Sequence, residues 1–181
     1  MIKTKEQNIF VDMDGVLAVY DENIVEHMYN ENYFATRPAV EPMLELARRL
    51  CELDYNVYIL TSCIDSEFCI PEKTEWLNTH LPEVPVKNRI FIEYGQVKAK
   101  IASERAKVKG AVNVLIDDYT ENLDKWKDEN IEGALPVKVS NGINGTKGTW
   151  LRSGGESIDA YSSVSFNVKK IHNLIRQKIN K

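Results

Sequence analysis

The residues able to act together chemically sit where apolar runs stop. In NIFVDMDGVLAVYD, Ile9-Phe10-Val11 gives way to Asp12 and Asp14, two acids separated by one residue. NVYILT, Asn56 to Thr61, is followed at once by Ser62, and NVLIDD, Asn113 to Asp118, ends in two adjacent acids. If those runs are neighbouring parallel strands, their carboxyl ends open onto one crevice, and four carboxylates meet two hydroxyls there. Two unit charges ~4 Å apart repel by about 4 kcal/mol at an effective dielectric of 20, so such a cluster needs protonation or a cation. Oxygen donors with no histidine or cysteine beside them favour a hard divalent ion, Mg2+ foremost. A cation among acids, with a hydroxyl, a lysine and helix amino termini close by, is the setting a phosphoryl group requires.

Strand and helix patterns alternate around these residues. Five strands are predicted: Ile9–Val11, Asn56–Thr61, Arg89–Tyr94, Asn113–Asp118 and Leu135–Ser140. Pro38 opens a helix with Val40, Met43, Leu44, Ala47, Leu50 and Cys51 at helical spacing. Pro71 begins a second that carries Trp76 and Leu77. Lys98 to Val108 forms a third, ended by Gly110, and an amphipathic helix runs from about Val164 to Ile179. The alternation predicts one α/β domain over residues 1–181, with helices on both faces of a parallel sheet of about five strands. Two segments break the pattern. Residues 18–37 form a small insertion beside the first strand, with Tyr20, Tyr29, Tyr33 and Phe34 among acids and asparagines. Residues 140–155, SNGINGTKGTWLRSGG, hold two Asn-Gly pairs and three further glycines, which predicts tight turns or a hairpin.

A single domain of 181 residues can bury roughly 70% of the surface its unfolded chain exposes. The formal charge of −4 gives no basis for a stable nucleic-acid partner or an anionic membrane surface. No basic run followed by an apolar core opens the sequence, and no window approaches ~18 consecutive apolar residues, which argues against a secretory signal and a membrane span. Cys51, Cys63 and Cys69 match no metal-ligand spacing and read as reduced thiols of a cytoplasmic protein.

The order D-M-D-G-V, an apolar strand ending T-S, a lysine, then I-D-D resembles the haloacid dehalogenase (HAD) superfamily of phosphohydrolases, over Phe10 to about Trp126. Within it, DMDGVLA, VYILTS, TEWLNTHLP and VLIDDYTENLDKW are similar to the 5'(3')-deoxyribonucleotidases, the cytosolic pyrimidine 5'-nucleotidase type C group. The resemblance implies a HAD-like Rossmannoid fold with a cap after the first strand. It implies Asp12 as a nucleophile forming an aspartyl-phosphate and Asp14 as the acid and base handling the proton. Thr61 and Ser62 would bind the phosphate, and Mg2+ would be held by Asp12, the Asp14 carbonyl and Asp117, with Asp118 on a metal-bound water or the lysine. Lys98 best fits the phosphate lysine, with Lys100 and Lys107 as alternatives. The implied activity is hydrolysis of a small phosphorylated substrate, most specifically a (deoxy)nucleoside monophosphate.

Other readings stay open. An isolated D-x-D after a strand is often only a turn or helix cap. A phosphoacceptor receiver domain also gathers acids, a hydroxyl and a lysine, but places its acid pair first. Tyr29, Tyr33, Phe34 and Trp150 could meet a nucleobase or simply pack on the domain, and Cys63 beside Ser62 could be an inert thiol. The short insertion departs from the far larger helical cap of the nucleotidases. An open site would admit a sugar phosphate or a nucleic-acid end, or could be closed by the glycine-rich loop or by a second subunit of a homodimer. A non-catalytic protein binding phosphate and Mg2+ is the remaining alternative.

Overall fold

The apolar run after Gln7 becomes the central strand β1, Asn8–Val11, in a computed structural model that describes residues 3–107, 109–129, 131–143 and 149–180. β2 (Asn56–Cys63) and β4 (Asn113–Asp117) flank it, β3 (Arg89–Glu93) lies outside β2, and β5 (Ala134–Ser140) and β6 (Glu156–Asp159) complete the other side. Every neighbouring pair is parallel. The sheet therefore has six strands rather than five. β6 has only four residues, of which Ile158 alone is buried, too little for a strand period to register in the sequence. Because β6 runs parallel to β5, these two strands are not the arms of a hairpin; of the glycine-rich segment between them, Asn144 to Gly148 lie outside the described residues.

Alternation of side chains along the strands builds two cores. Ile9 and Val11 of β1 face α1 (Glu41–Glu52), α5 (Val164–Ile179) and Trp76 and Leu77 of α2 (Cys69–His80). Phe10 faces the other way, into a cluster with Ala99 and Ala102 of α3 (Lys98–Arg105) and Leu123 and Trp126 of α4 (Thr120–Asp128). Burying one Leu- or Phe-sized side chain contributes about 1.5–3 kcal/mol, so both faces are needed to hold the sheet. The result is the expected three-layer α/β/α arrangement.

Element ends differ from expectation for local reasons. α1 begins at Glu41, not at Pro38. Val19 N–H donates to the Pro38 carbonyl and Val40 N–H to the Leu17 carbonyl, each at 2.8 Å, which keeps Pro38 to Val40 out of the helix. Pro42 instead occupies the first turn, where a missing N–H costs nothing. α2 starts at Cys69, two residues before Pro71, and α3 stops at Arg105 because Ala106 is extended. α5 begins where Ser163 Oγ accepts from Phe166 N–H at 3.3 Å, an N-cap bond.

At the amino edge of the sheet three asparagines stand in register, Asn56 and Asn113 each opposite Asn8. Asn8 Nδ2 donates to Asn113 Oδ1 at 2.8 Å, Asn56 Nδ2 donates to Asn8 Oδ1 at 3.3 Å, and Asn113 Nδ2 reaches the Glu132 carbonyl. Among the described residues no helix is long and apolar enough to cross a membrane.

Candidate active site

With Asn8, Asn56 and Asn113 level, β1 and β4 end together, and Asp12 N–H donates to the Ile116 carbonyl at 2.9 Å. Asp12 therefore arrives beside Asp117. Beyond it the chain turns sharply: the Met13 carbonyl accepts from Val16, Leu17 and Ala18 N–H, and Gly15 adopts φ +75°. A Cβ at Gly15 would overlap the Asp118 carboxylate, so this position needs glycine for its conformation and for the approach of Asp118.

Two buried lysines divide the acids between them. Lys98 Nζ lies 2.9 Å from Asp12 Oδ1 and 2.7 Å from Asp117 Oδ2. Lys73 Nζ donates to Asp14 Oδ2 at 2.5 Å, to Thr61 Oγ1 at 2.9 Å and to the Ser62 carbonyl at 2.7 Å, which uses all three of its protons. The repulsion among acids inferred from the sequence is thus offset within the chain itself. Burial alone would pull both ammonium groups down, but Asp14 together with Cys63 and Cys69 outweighs it for Lys73, and Asp117 with Asp12 outweighs it for Lys98, so both end raised. Burial raises Asp117 against the opposing pull of Lys98. Asp118 is raised well above the ordinary carboxylate range, by burial and then by the charges of Asp117 and Asp12.

Asp117 is held by more than Lys98. Its Oδ1 accepts from Tyr119 N–H at 2.8 Å, and its Oδ2 accepts from Asn122 Nδ2 at 3.0 Å on the first turn of α4. Asp118 is fixed from β5 and the loop after it. Lys138 Nζ donates to its carbonyl at 2.7 Å, and Asn141 Nδ2 donates to its Oδ2 at 3.0 Å and to the Gly15 carbonyl at 2.8 Å.

Asp12, Asp117 and Asp118 each offer an oxygen, and these atoms all lie within 4.8 Å of one another. Asp12 Oδ1 is buried without an aligned hydrogen bond, since Lys98 approaches it only as a charge. An all-oxygen set containing such an atom fits a hard divalent cation.

A cavity of about 550 Å³ opens above these groups, a size typical of small-molecule sites. Asp12, Asp14, Ser62 and Asp118 lie at its base. The insertion gives one wall, with Tyr20, Val25, Met28, Tyr29 and Phe34; Tyr94, Tyr119 and Asn122 give the other.

The expected site residues are therefore gathered unevenly. Asp12, Asp14, Thr61, Ser62, Lys98, Asp117 and Asp118 come together, whereas Lys100 and Lys107 are exposed and bond none of them. Tyr29 lines the cavity and is exposed; Phe34 lines it at 1% exposure. Tyr33 and Trp150 do not line it. Tyr33 packs against the Arg37 guanidinium, whose carbon stands 4.4 Å from the ring centroid. Trp150 is buried in the core beneath α3 and α4, its Nε1 donating to the Glu156 carbonyl. Cys63 is buried with Cys69, and the hydrogen bond its thiol donates to that neighbour, then burial, push it up, away from a nucleophile's range.

Sequence reasoning missed Lys73, Lys138, Asn141, Tyr94 and Tyr119. For Lys73 a signal existed: Cys69, Glu72, Lys73, Trp76 and Leu77 fall at i, i+3, i+4, i+7 and i+8, the inward stripe of a helix. Two charged residues on that stripe mark buried polar contacts.

A parallel three-layer sheet with this order of acids, hydroxyl, lysine and acids at its central strand ends defines a HAD-superfamily phosphatase. A sequence profile of the 5' nucleotidase, deoxy (Pyrimidine), cytosolic type C family matches residues 19–138, about two thirds of the chain, and the chain belongs to that family. No curated protein matches the sequence significantly. The fold is similar to that of a D,D-heptose 1,7-bisphosphate phosphatase from B. bronchiseptica complexed with magnesium and phosphate (TM-score 0.64, 16% identity, covering 92% of this chain and 98% of that one). It is similar to that of a putative haloacid dehalogenase-like hydrolase from Burkholderia xenovorans LB400 (TM-score 0.65, 14% identity, 93% and 98% covered). A D,D-heptose 1,7-bisphosphate phosphatase from Burkholderia thailandensis is similar at TM-score 0.54 and 17% identity, with 93% and 98% covered.

Proposed function

We propose that the chain is a Mg2+-dependent phosphomonoesterase that works through an aspartyl-phosphate on Asp12 and acts on (deoxy)nucleoside monophosphates. The observation that carries this reading is the base of the cavity, where Asp12 and Asp14 lie side by side, each ion-paired to its own buried lysine.

Asp12 attacks phosphorus in line with the ester oxygen, and Asp14, on the same side of the chain two residues on, gives that oxygen its proton as the bond breaks. A water then attacks the acyl phosphate while Asp14 takes the water's proton, releasing inorganic phosphate and restoring Asp12. Thr61, Ser62 and Lys73 surround the place of the phosphoryl oxygens, and Lys98 and Asn122 orient Asp117. Mg2+, held by Asp12, the Asp14 carbonyl and Asp117 with Asp118 beside them, would neutralise charge gathering on those oxygens. The tyrosines of both walls support a planar leaving group, and membership of the nucleotidase family supports a nucleoside.

A sugar phosphate is the second reading, favoured by the likeness in fold to two heptose bisphosphate phosphatases. A panel of nucleoside monophosphates, sugar phosphates and 5'- or 3'-phosphorylated oligonucleotides, run with Mg2+ and with EDTA, decides between them. The expected result is preference for nucleoside monophosphates and complete loss of turnover in EDTA. Activity surviving chelation would end the metal role, and preference for sugar phosphates would end the nucleotide assignment.

A further inference from the structure

A buried carboxylate of α2 helps fasten the insertion to the catalytic layer. Asn32 lies in the left-handed region at φ +65°, which asparagine tolerates better than most residues. Around it the backbone N–H groups of Asn32, Phe34 and Ala35 converge into an anion-binding nest. The anion that fills it is Glu72 of α2, 7% exposed: Oε1 accepts from Asn32 N–H at 2.5 Å, and Oε2 accepts from Phe34 and Ala35 N–H at 2.8 and 3.3 Å. One helical turn on, Trp76 Nε1 donates to the Arg37 carbonyl at 2.8 Å. The next residue after Glu72 is Lys73, whose ammonium sits 4.9 Å from the Phe34 ring centroid and grips Asp14 and Thr61. One turn of α2 thus holds the phosphoryl end of the site with one side chain and the leaving-group wall with its neighbour.

We propose that Glu72 is a positioning residue: through the 32–35 nest it sets the insertion, with Tyr29 and Phe34, at a fixed distance from Asp12 and Asp14, and so governs affinity for the leaving group. The inference rests on the phosphomonoesterase reading above. Glu72 touches none of the reacting groups. Its loss should weaken contacts made equally in the ground and transition states, which raises KM and spares kcat.

The test is Glu72→Gln, which keeps size and shape but turns an NH2 donor toward backbone donors. Glu72→Asp serves as the partial rescue, and hydrogen exchange of the 30–37 segment confirms that the nest opens while the remaining amides stay protected. For a nucleoside monophosphate, KM should rise by about tenfold or more while kcat stays within about threefold, as expected for lost charge-assisted hydrogen bonds behind a binding wall. Inhibition by inorganic phosphate should be unchanged, and the KM for p-nitrophenyl phosphate, whose leaving group reaches less of the wall, should move less. A fall in kcat at constant KM, a parallel loss of phosphate inhibition, or unaltered kinetics would overturn the role of Glu72 and leave the hydrolase reading standing. A wild-type protein that turns over neither ester would overturn that reading, and this inference with it.

Discussion

In the reaction proposed above, the proton chemistry turns on Asp14, which is paired with Lys73. Substitution Asp14→Asn keeps a carbonyl oxygen able to accept from Lys73 Nζ, so the buried ammonium is not abandoned and the fold survives. What disappears is an ionisable group, and turnover should fall by roughly 10²–10⁴, the span ascribed to a positioned general acid–base. Asp12→Asn should remove turnover altogether while the variant retains binding of inorganic phosphate. Steady-state kinetics beside phosphate titration checks both; an Asp14→Asn enzyme with undiminished rate would assign the proton to another group. Residues of this kind were legible in the sequence where acids recur at the ends of several predicted strands in a set order, as with Asp12, Asp14 and Asp117-Asp118. Lys73 and Glu72 were missed although they fall on the inward stripe of α2, because that stripe shows burial but not the partners that give each charge its role. Those partners, Asp14 and the amides of the insertion, lie 59 and 37 to 40 residues away.

Among the elements, the turn from α4 into β5 shows how glycine serves the scaffold and not the site. Gly133 adopts φ +64°, its carbonyl accepts from Asn113 N–H, and a Cβ there would overlap the Ala111 carbonyl. Gly133→Ala should lose about 1–2 kcal/mol from the left-handed backbone alone, and more from the overlap. Urea unfolding reads that loss. KM should not change, because the turn sits at the amino edge of the sheet, opposite the cavity; a KM shift would mean that strain at this edge reaches the site. Most elements were legible from periodicity, and α5 follows its predicted span. The misses have separate causes. β6 is too short and too exposed to show a period, and the true start of α1 depends on contacts of Leu17 and Val19 with residues 38–40 that no local window contains.

For the molecule as a whole, the acid cluster couples stability to pH and, under the proposed function, to metal. Burial and the neighbouring Asp117 and Asp12 charges raise Asp118 above the ordinary carboxylate range in the folded state, so the native protein holds that proton more tightly than the unfolded chain does. The associated stability is present below about pH 4, the unfolded value, and is lost as pH climbs through the raised folded value. A divalent cation held there would prefer the ionised carboxylates and reverse the slope. The gain in Tm on adding Mg2+ over EDTA should therefore grow with pH from the acid side toward neutrality, and Asp118→Asn should flatten that growth. Thermal melts across a pH series decide it; a gain independent of pH would remove Asp118 from the metal's surroundings.

The asparagine row at the amino edge has a consequence for how the chain avoids error. Slipping β1 by two residues against β2 or β4 would keep every apolar side chain on its proper face, so the cores would scarcely object. Such a slip would nevertheless carry Asp12 roughly 7 Å along its neighbour, two steps of an extended strand, and out of reach of Asp117. Three matched amides penalise that alternative at the end of the sheet farthest from the chemistry, acting as a vernier that reports, across the width of the molecule, whether its business end has been assembled correctly.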